Sequence, residues 1–197
     1  MTDASKPNDP VALGRNLQLT GPHWTFIIRL YGDPGVQRAC LLLQDSFGVD
    51  VSLLLTLVWY AAHGTGVDDG DVEALDQAVA SWRGDVVKPL RTIRREIKPA
   101  AEHDGTVAGF RTKIKSIEIE AEQIEIALLV QAVNQRKRSG VSGAAAKPAP
   151  IARTVETVVA FYAARAAATA ATWQTLEVRA AIDSLSDAAT RLAAEDR

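Results

Sequence analysis

The segment Val51 to Ala62, VSLLLTLVWYAA, is apolar on every side of a helix and is broken only by Ser52 and Thr56. It falls short of the roughly 18 to 20 residues that span a bilayer. A short helix with no polar face needs a protein neighbour on each side, so it is predicted to lie in the middle of a globular core. The remainder of the 197 residues must supply the walls, and the chain is long enough for one such domain with an appended element.

Those walls read as amphipathic helices. Residues 1–19 hold few large apolar groups and read as a disordered tail, which leaves a helical body predicted over 20–138. Trp24, Ile27, Ile28 and Tyr31 recur at helical spacing up to Gly32. Asp33-Pro34 then places a capping carboxylate before a proline at a first helical position, and Val36, Cys40, Leu43 and Phe47 form the stripe of a second helix closed by Gly48. Asp50 caps the apolar segment, and so short a connection predicts that these two helices form a hairpin. After a loop over His63–Asp71, Val72, Leu75, Val79 and Trp82 mark a fourth helix. Gly84 and Asp85 are expected to break and re-cap the chain before a fifth, carrying Val86, Leu90, Ile93 and Ile97 and stopped by Pro99. Phe110, Ile114, Ile117, Ala121, Ile124 and Leu128 hold a three-four spacing through a long sixth helix, about Val107 to Gln135.

Glycine, serine, alanine and proline then dominate residues 139–150, predicted as a flexible linker. Residues 151–197 read as one long alanine-rich helix capped by Thr154, with an irregularity around Asp183 to Asp187. Its large apolar groups, Val155, Val159, Tyr162, Trp173, Leu176 and Leu185, are separated by alanine, which buries little area per residue, so the helix needs a partner surface. The body, a second copy or another protein would serve. The fold class is therefore all-α: a compact bundle of about six helices with a long alanine-rich C-terminal helix.

Between Trp24 and Lys98 the sequence resembles a family of uncharacterised proteobacterial proteins, a helical domain of unknown function. The resemblance is carried by Trp24-Thr-Phe-Ile-Ile-Arg-Leu-Tyr31, Pro34-Gly-Val, Ala39-Cys-Leu and Leu43-Gln-Asp45. It continues through Gly48-Val-Asp-Val-Ser-Leu-Leu-Leu55, Trp59, Trp82, Val86-Val-Lys-Pro-Leu-Arg91, Arg94-Arg95 and Lys98, and more weakly to about Ala132. It implies a small helical domain and no particular activity. The alanine-rich segment lies outside it.

Known chemical motifs find no match. Cys40 is the single cysteine and lies on an apolar stripe, which leaves no intramolecular disulfide or cysteine-based metal site and disfavours a reactive thiolate. His23, His63 and His103 belong to no His-x-x-x-His or Glu-x-x-His pair, and capping or solvation is the simpler reading of each. Asp68-Asp-Gly-Asp71 lacks the alternating ligands and terminal glutamate of a calcium loop and reads as a helix cap. No phosphate-binding glycine loop or serine nucleophile elbow is present. Catalytic, cofactor-binding and metal-ligating residues are accordingly assigned to none, and no cofactor is expected.

Two constellations remain. Lys88, Arg91, Arg95 and Lys98 stack into a basic stripe with Arg94 beside it, a candidate partner-binding surface. Glu118, Glu122 and Glu125 repeat at matching spacing on the next helix, so pairing of the two rows within the chain is the favoured reading. Gln44 and Asp45 adjoin the apolar stripe of the second helix and form a candidate core polar site, read first as a structural polar bridge. Nucleic acid is an unlikely partner, given a net charge of -2 and no interleaved aromatic platform. The absence of an early apolar run makes the cytoplasm the expected address. The leading functional expectation is a non-catalytic interaction or assembly module, with another protein or self-association through 151–197 as partner. Its competitors are a small-ligand binder or enzyme with a site near Gln44, Asp45, Trp59 and Trp82, and a lipid- or granule-surface protein using the C-terminal helix.

Overall fold

The structure, a computed structural model, describes residues 16–139, 150–168 and 174–196. The expected tail up to residue 15, the linker over 140–149, and Trp173 lie outside the described residues. All regular structure among the described residues is helical: α1 Pro22–Tyr31, α2 Pro34–Phe47, α3 Val51–Ala62, α4 Asp69–Trp82, α5 Lys88–Glu96, α6 Lys98–Ala101, α7 Gly105–Ser139, α8 Ile151–Arg165 and α9 Leu176–Glu195. No helix among them is long and apolar enough to cross a membrane.

The apolar segment Val51–Ala62 is the central helix. α1, α7, α8 and α9 all pack against α3, and Leu53 through Val58 are buried without interruption. The caps read from sequence are present. Asp33 accepts from the backbone N–H of Gly35 at 2.6 Å, Asp50 accepts from that of Leu53 at 2.9 Å, and Asp68 and Asp71 form a reciprocal capping box at the start of α4. Gly48 closes α2 in the left-handed conformation at φ 71°.

Three local readings are corrected. The chain does not break at Gly84 and Asp85: Arg83–Val87 is a π-helical turn joining α4 to α5, so one helical direction is kept with an extra residue inserted. α5 ends at Glu96, ahead of Pro99 as expected, and Pro99 itself stands in the first turn of the short α6, where its missing N–H costs nothing. The α2–α3 hairpin is not the main packing, because α2 lies chiefly against α9 and α3 chiefly against α8. Finally, the alanine-rich segment holds two separate helices, α8 and α9, among the described residues.

That last break has a clear local cause. Ala168 donates its N–H to the carbonyl of Ala163 at 2.9 Å and Ala167 donates to Ala164 at 3.1 Å, a Schellman closure with Ala167 left-handed at φ 54°. Glycine usually holds that place, so the stop carries no sequence signal. Thr154, expected as a cap, is buried inside α8, which already begins at Ile151. The true cap is Thr175, whose hydroxyl accepts from the N–H of Val178 at 3.3 Å to open α9, the long C-terminal helix.

The partner surface needed by these helices is the body itself. Val155, Val158, Val159 and Tyr162 of α8, and Ile182, Leu185, Ala189 and Leu192 of α9, belong to the same core as α1 to α4. Small side chains let α2 and α9 approach closely: Val36, Ala39, Cys40 and Leu43 face Ala181, Leu185, Ala188 and Ala189 in that core. Arg29 clamps the end of α9 through Glu195 at 2.8 Å and Asp196 at 2.6 Å.

Candidate functional site

Where α3 begins, the fold brings ionisable groups from five elements to one place. Asp50 precedes α3, Asp76 lies on α4, Arg83 on the π-helical turn, Glu125 on α7, and Tyr162 with Arg165 on α8. Arg83 stands at the end of α4, its N–H still bonded to the carbonyl of Val79, and opens the π-helical turn, whose extra residue shifts the chain that follows into α5.

Arg83 is the hub. Its Nη1 lies 2.7 Å from Oδ2 of Asp50 and its Nη2 lies 2.7 Å from Oδ1 of Asp76. Tyr162 donates its hydroxyl to Asp76 Oδ1 at 2.6 Å, and Arg165 reaches Asp76 Oδ2 at 2.6 Å. Burial would lower the affinity of the Arg83 guanidinium for its proton, but Asp50 outweighs that and holds it charged. Burial, Asp50 and the bond to Asp76 push the Tyr162 hydroxyl far up, so it remains a donor.

Glu125 is the odd member. It is only 1% exposed, and its Oε1 has no hydrogen-bond partner. Burial, reinforced by the neighbouring Asp50 carboxylate through its charge and a side-chain hydrogen bond and only partly offset by Arg83, pushes its carboxyl well above the usual range, so it is neutral near pH 7. It faces a cavity of about 240 Å³ whose wall also includes Gln44, Ser52, Lys88 and Arg91. The first turn of α3 forms one side of it.

The predicted stripes meet a few ångströms away. Arg91 bonds Glu118 at 3.2 Å and Glu122 at 2.5 Å, and Arg94 closes onto both oxygens of Glu118. Burial alone would raise the Glu118 carboxyl, yet Arg94 and Arg91 hold it below the ordinary glutamate range. Glu122 is raised instead, because burial there outweighs Arg91. Lys88 and Arg95 are exposed, and Lys98 makes only a long contact of 3.9 Å with Glu102. The basic row is thus divided between internal pairing and solvent. Glu125 leaves the acidic row altogether.

Of the candidate core polar pair, Gln44 is half-buried on the cavity wall and Asp45 is exposed, so Asp45 takes no part in a core site. The tryptophans grouped with them do not gather there. Trp82 donates its Nε1 to the carbonyl of Ala121 at 2.9 Å, and Trp59 stacks with His23, Tyr60 and His63 near the other end of α3. His23 also departs from its reading as a cap or solvated group: it is buried edge-on to Trp59, and burial lowers its proton affinity.

Asp76, Arg83, Glu125, Tyr162 and Arg165 were not singled out from the sequence as site residues. Two of them left a trace. Glu125 falls between Ala121 and Leu128 on an otherwise apolar stripe, and Asp76 falls between Val72 and Val79. An acid at such a position is buried against cost and calls for a partner or a ligand.

Asp50, Asp76, Arg83 and Glu125 fall within the part of the chain that matches a family, whereas Tyr162 and Arg165 lie beyond it. No curated protein and no solved structure shows significant similarity to the chain. Residues 22–129, more than half of the chain, match the family described as protein of unknown function (DUF2390), and the chain belongs to that family.

Proposed function

We propose that this protein binds a small molecule in the cavity beside the first turn of α3. The observation that carries the reading is Glu125, a buried carboxyl with an unpartnered oxygen on the wall of an open cavity. A purely structural ionic cluster has no use for such a group, since an unsatisfied buried polar atom costs about 1 to 3 kcal/mol. A ligand that bonds to it recovers that cost. The competing small-ligand reading from the sequence thus gains support, with its location moved from Gln44, Asp45, Trp59 and Trp82 to Asp50, Arg83 and Glu125, and Gln44 alone kept on the wall. The test is a thermal-shift screen of a small-metabolite library on the full chain, with hits measured by calorimetry on wild type and Glu125→Leu. At least one compound should bind and lose about tenfold or more in affinity on substitution. A screen without hits, or hits indifferent to Glu125, overturns the reading.

The interaction-module reading has its own support, though from a different surface than the C-terminal segment. The apolar sides of α8 and α9 are occupied by the core, which favours neither self-association nor lipid binding through them. By contrast Phe110 and Ile117, seven residues apart on one face of the N-terminal half of α7, are exposed, as is Ile93 on α5. Such a row suits a protein partner. Light scattering of wild type and Phe110→Glu/Ile117→Glu tests for self-association there: an oligomer that the substitutions dissociate supports it, and identical monomeric masses remove it.

A further inference from the structure

We propose that the molecule bound here is an amphipathic monoanion, a carboxylate carrying a short hydrocarbon tail, with its head beside Lys88 and Glu125 and its tail between α1 and α7. This rests on the reading of the cavity as a ligand site. The first ground is that the polar cavity has an apolar neighbour. A second cavity of about 200 Å³ is walled by Trp24, Ile28, Leu55, Ile119 and Ile126, and the two share Gln44, Val51, Ser52 and Arg91 as a common wall. Ile28 and Ile119 are 49% and 43% exposed, so a tail laid there would cover apolar surface that the chain leaves in water.

The second ground is the charge left over in the polar part. Asp50 and Asp76 are matched by Arg83 and Arg165, and Arg91 is held from behind by Glu118 and Glu122. Lys88 has no ion pair among the described residues, which leaves one positive charge on the wall and fits one negative charge on a ligand. The groups around Glu125 agree with this sign. Burial, Asp50 before α3 by its charge and a side-chain hydrogen bond, and Glu122 on α7 oppose its ionisation, Arg83 favours it less strongly, and the neutral carboxyl adds no negative charge to the wall to repel an anion. Val51 and Ser52, at the N-terminus of α3, add the positive end of a helix dipole to the same wall. An ammonium head would meet Lys88 and Arg91 instead.

Calorimetry on the full chain at pH 7 and constant ionic strength, with acetate, hexanoate, hexylammonium and hexanol as probes, separates these features. Hexanoate should bind about tenfold or more tighter than acetate, because its extra methylenes leave water. It should also bind tighter than the ammonium and the alcohol. Lys88→Gln, at an exposed position, should weaken hexanoate several-fold and leave hexanol unchanged. Ile119→Ser should erase the advantage of hexanoate over acetate. If hexylammonium or hexanol binds best, the anionic head is wrong while a ligand site still stands. If acetate equals hexanoate, the tail is wrong. If none of the four binds, the amphipathic acid is overturned, and the broader reading then stands or falls on the library screen and Glu125→Leu.

Discussion

Two arginine–carboxylate networks lie side by side in this molecule, built from the same side chains under different conditions. The outer one joins Arg91 and Arg94 of α5 to Glu118 and Glu122 of α7, across a helix, α5, that contributes no buried residue. The inner one joins Asp50, Asp76, Arg83, Tyr162 and Arg165 from separate elements, with the Asp50 and Asp76 side chains 5% and 4% exposed. At the rim, Arg91, Arg94 and Glu122 keep 24%, 22% and 30% of their side chains exposed and share solvation with water, and the buried Glu118 is held by two arginines, so the loss of one partner is tolerated. Inside, each charge depends on its neighbours, and one carboxyl more than the arginines satisfy, that of Glu125, persists only in neutral form. The same kind of pair is therefore a partly exposed brace in one place and a buried cluster with a surplus carboxyl in the other.

The comparison breaks most sharply at Arg83. Arg83→Met removes the common partner of Asp50 and Asp76 and should lower stability by about 3 to 5 kcal/mol, measured by urea unfolding at pH 7. A loss below about 1 kcal/mol would mean that water reaches the inner network as freely as the outer one.

Glu125→Gln should act in the opposite direction. A carboxyl raised in the folded state contributes fully below its unfolded value, and stability falls as pH climbs from there toward the raised folded value, since the unfolded chain ionises first. The amide removes that fall and should add roughly 2 kcal/mol at pH 7, with little change near pH 4. A variant whose pH profile runs parallel to that of wild type between about pH 5 and 8 would show that Glu125 is not held neutral.

Glu118 has the reverse sign. Its folded value is depressed, so its contribution is present above the ordinary glutamate range and lost as pH falls through the lowered value. Arg94→Gln should cost about 1 kcal/mol near neutrality, a difference that closes on acidification as Glu118 protonates. Thermal melts from pH 7 down to pH 3 read this directly, and a penalty that persists in acid would assign the effect to packing. Smallest is Lys98→Gln, at a long contact between side chains 63% and 59% exposed, where the change in melting free energy should stay within about 0.5 kcal/mol.

The two networks also differ in how far the sequence reveals them. Rows of Arg and Glu at intervals of three and four, on helices joined by a short connection, sufficed to expect the outer pairs. For the inner cluster the local signals were partial. Asp50 was legible as a cap, and Gln44 as a polar group beside a core stripe, but nothing near Asp76 or Arg83 announces a partner on α8. A π-helical turn has no residue signature comparable to a proline or glycine, so the continuation of α4 into α5 past Arg83 was not legible either. The division of the alanine-rich segment was hidden for a similar reason, because an alanine occupies the left-handed stop at 167.

Periodicity and capping chemistry are local properties, and for this protein they determined the all-helical class, the central place of Val51–Ala62, and the starts of α2, α3 and α4. Where α8 and α9 rest, how Arg83 turns inward and which carboxyl is left without a counter-ion were decided only by tertiary structure. Those outcomes depend on contacts between residues as far apart as Asp76 and Tyr162, and on the water that packing excludes around them. Alanine helices fit many surfaces about equally well, and it is the close approach of α9 to the small residues of α2 that selects one.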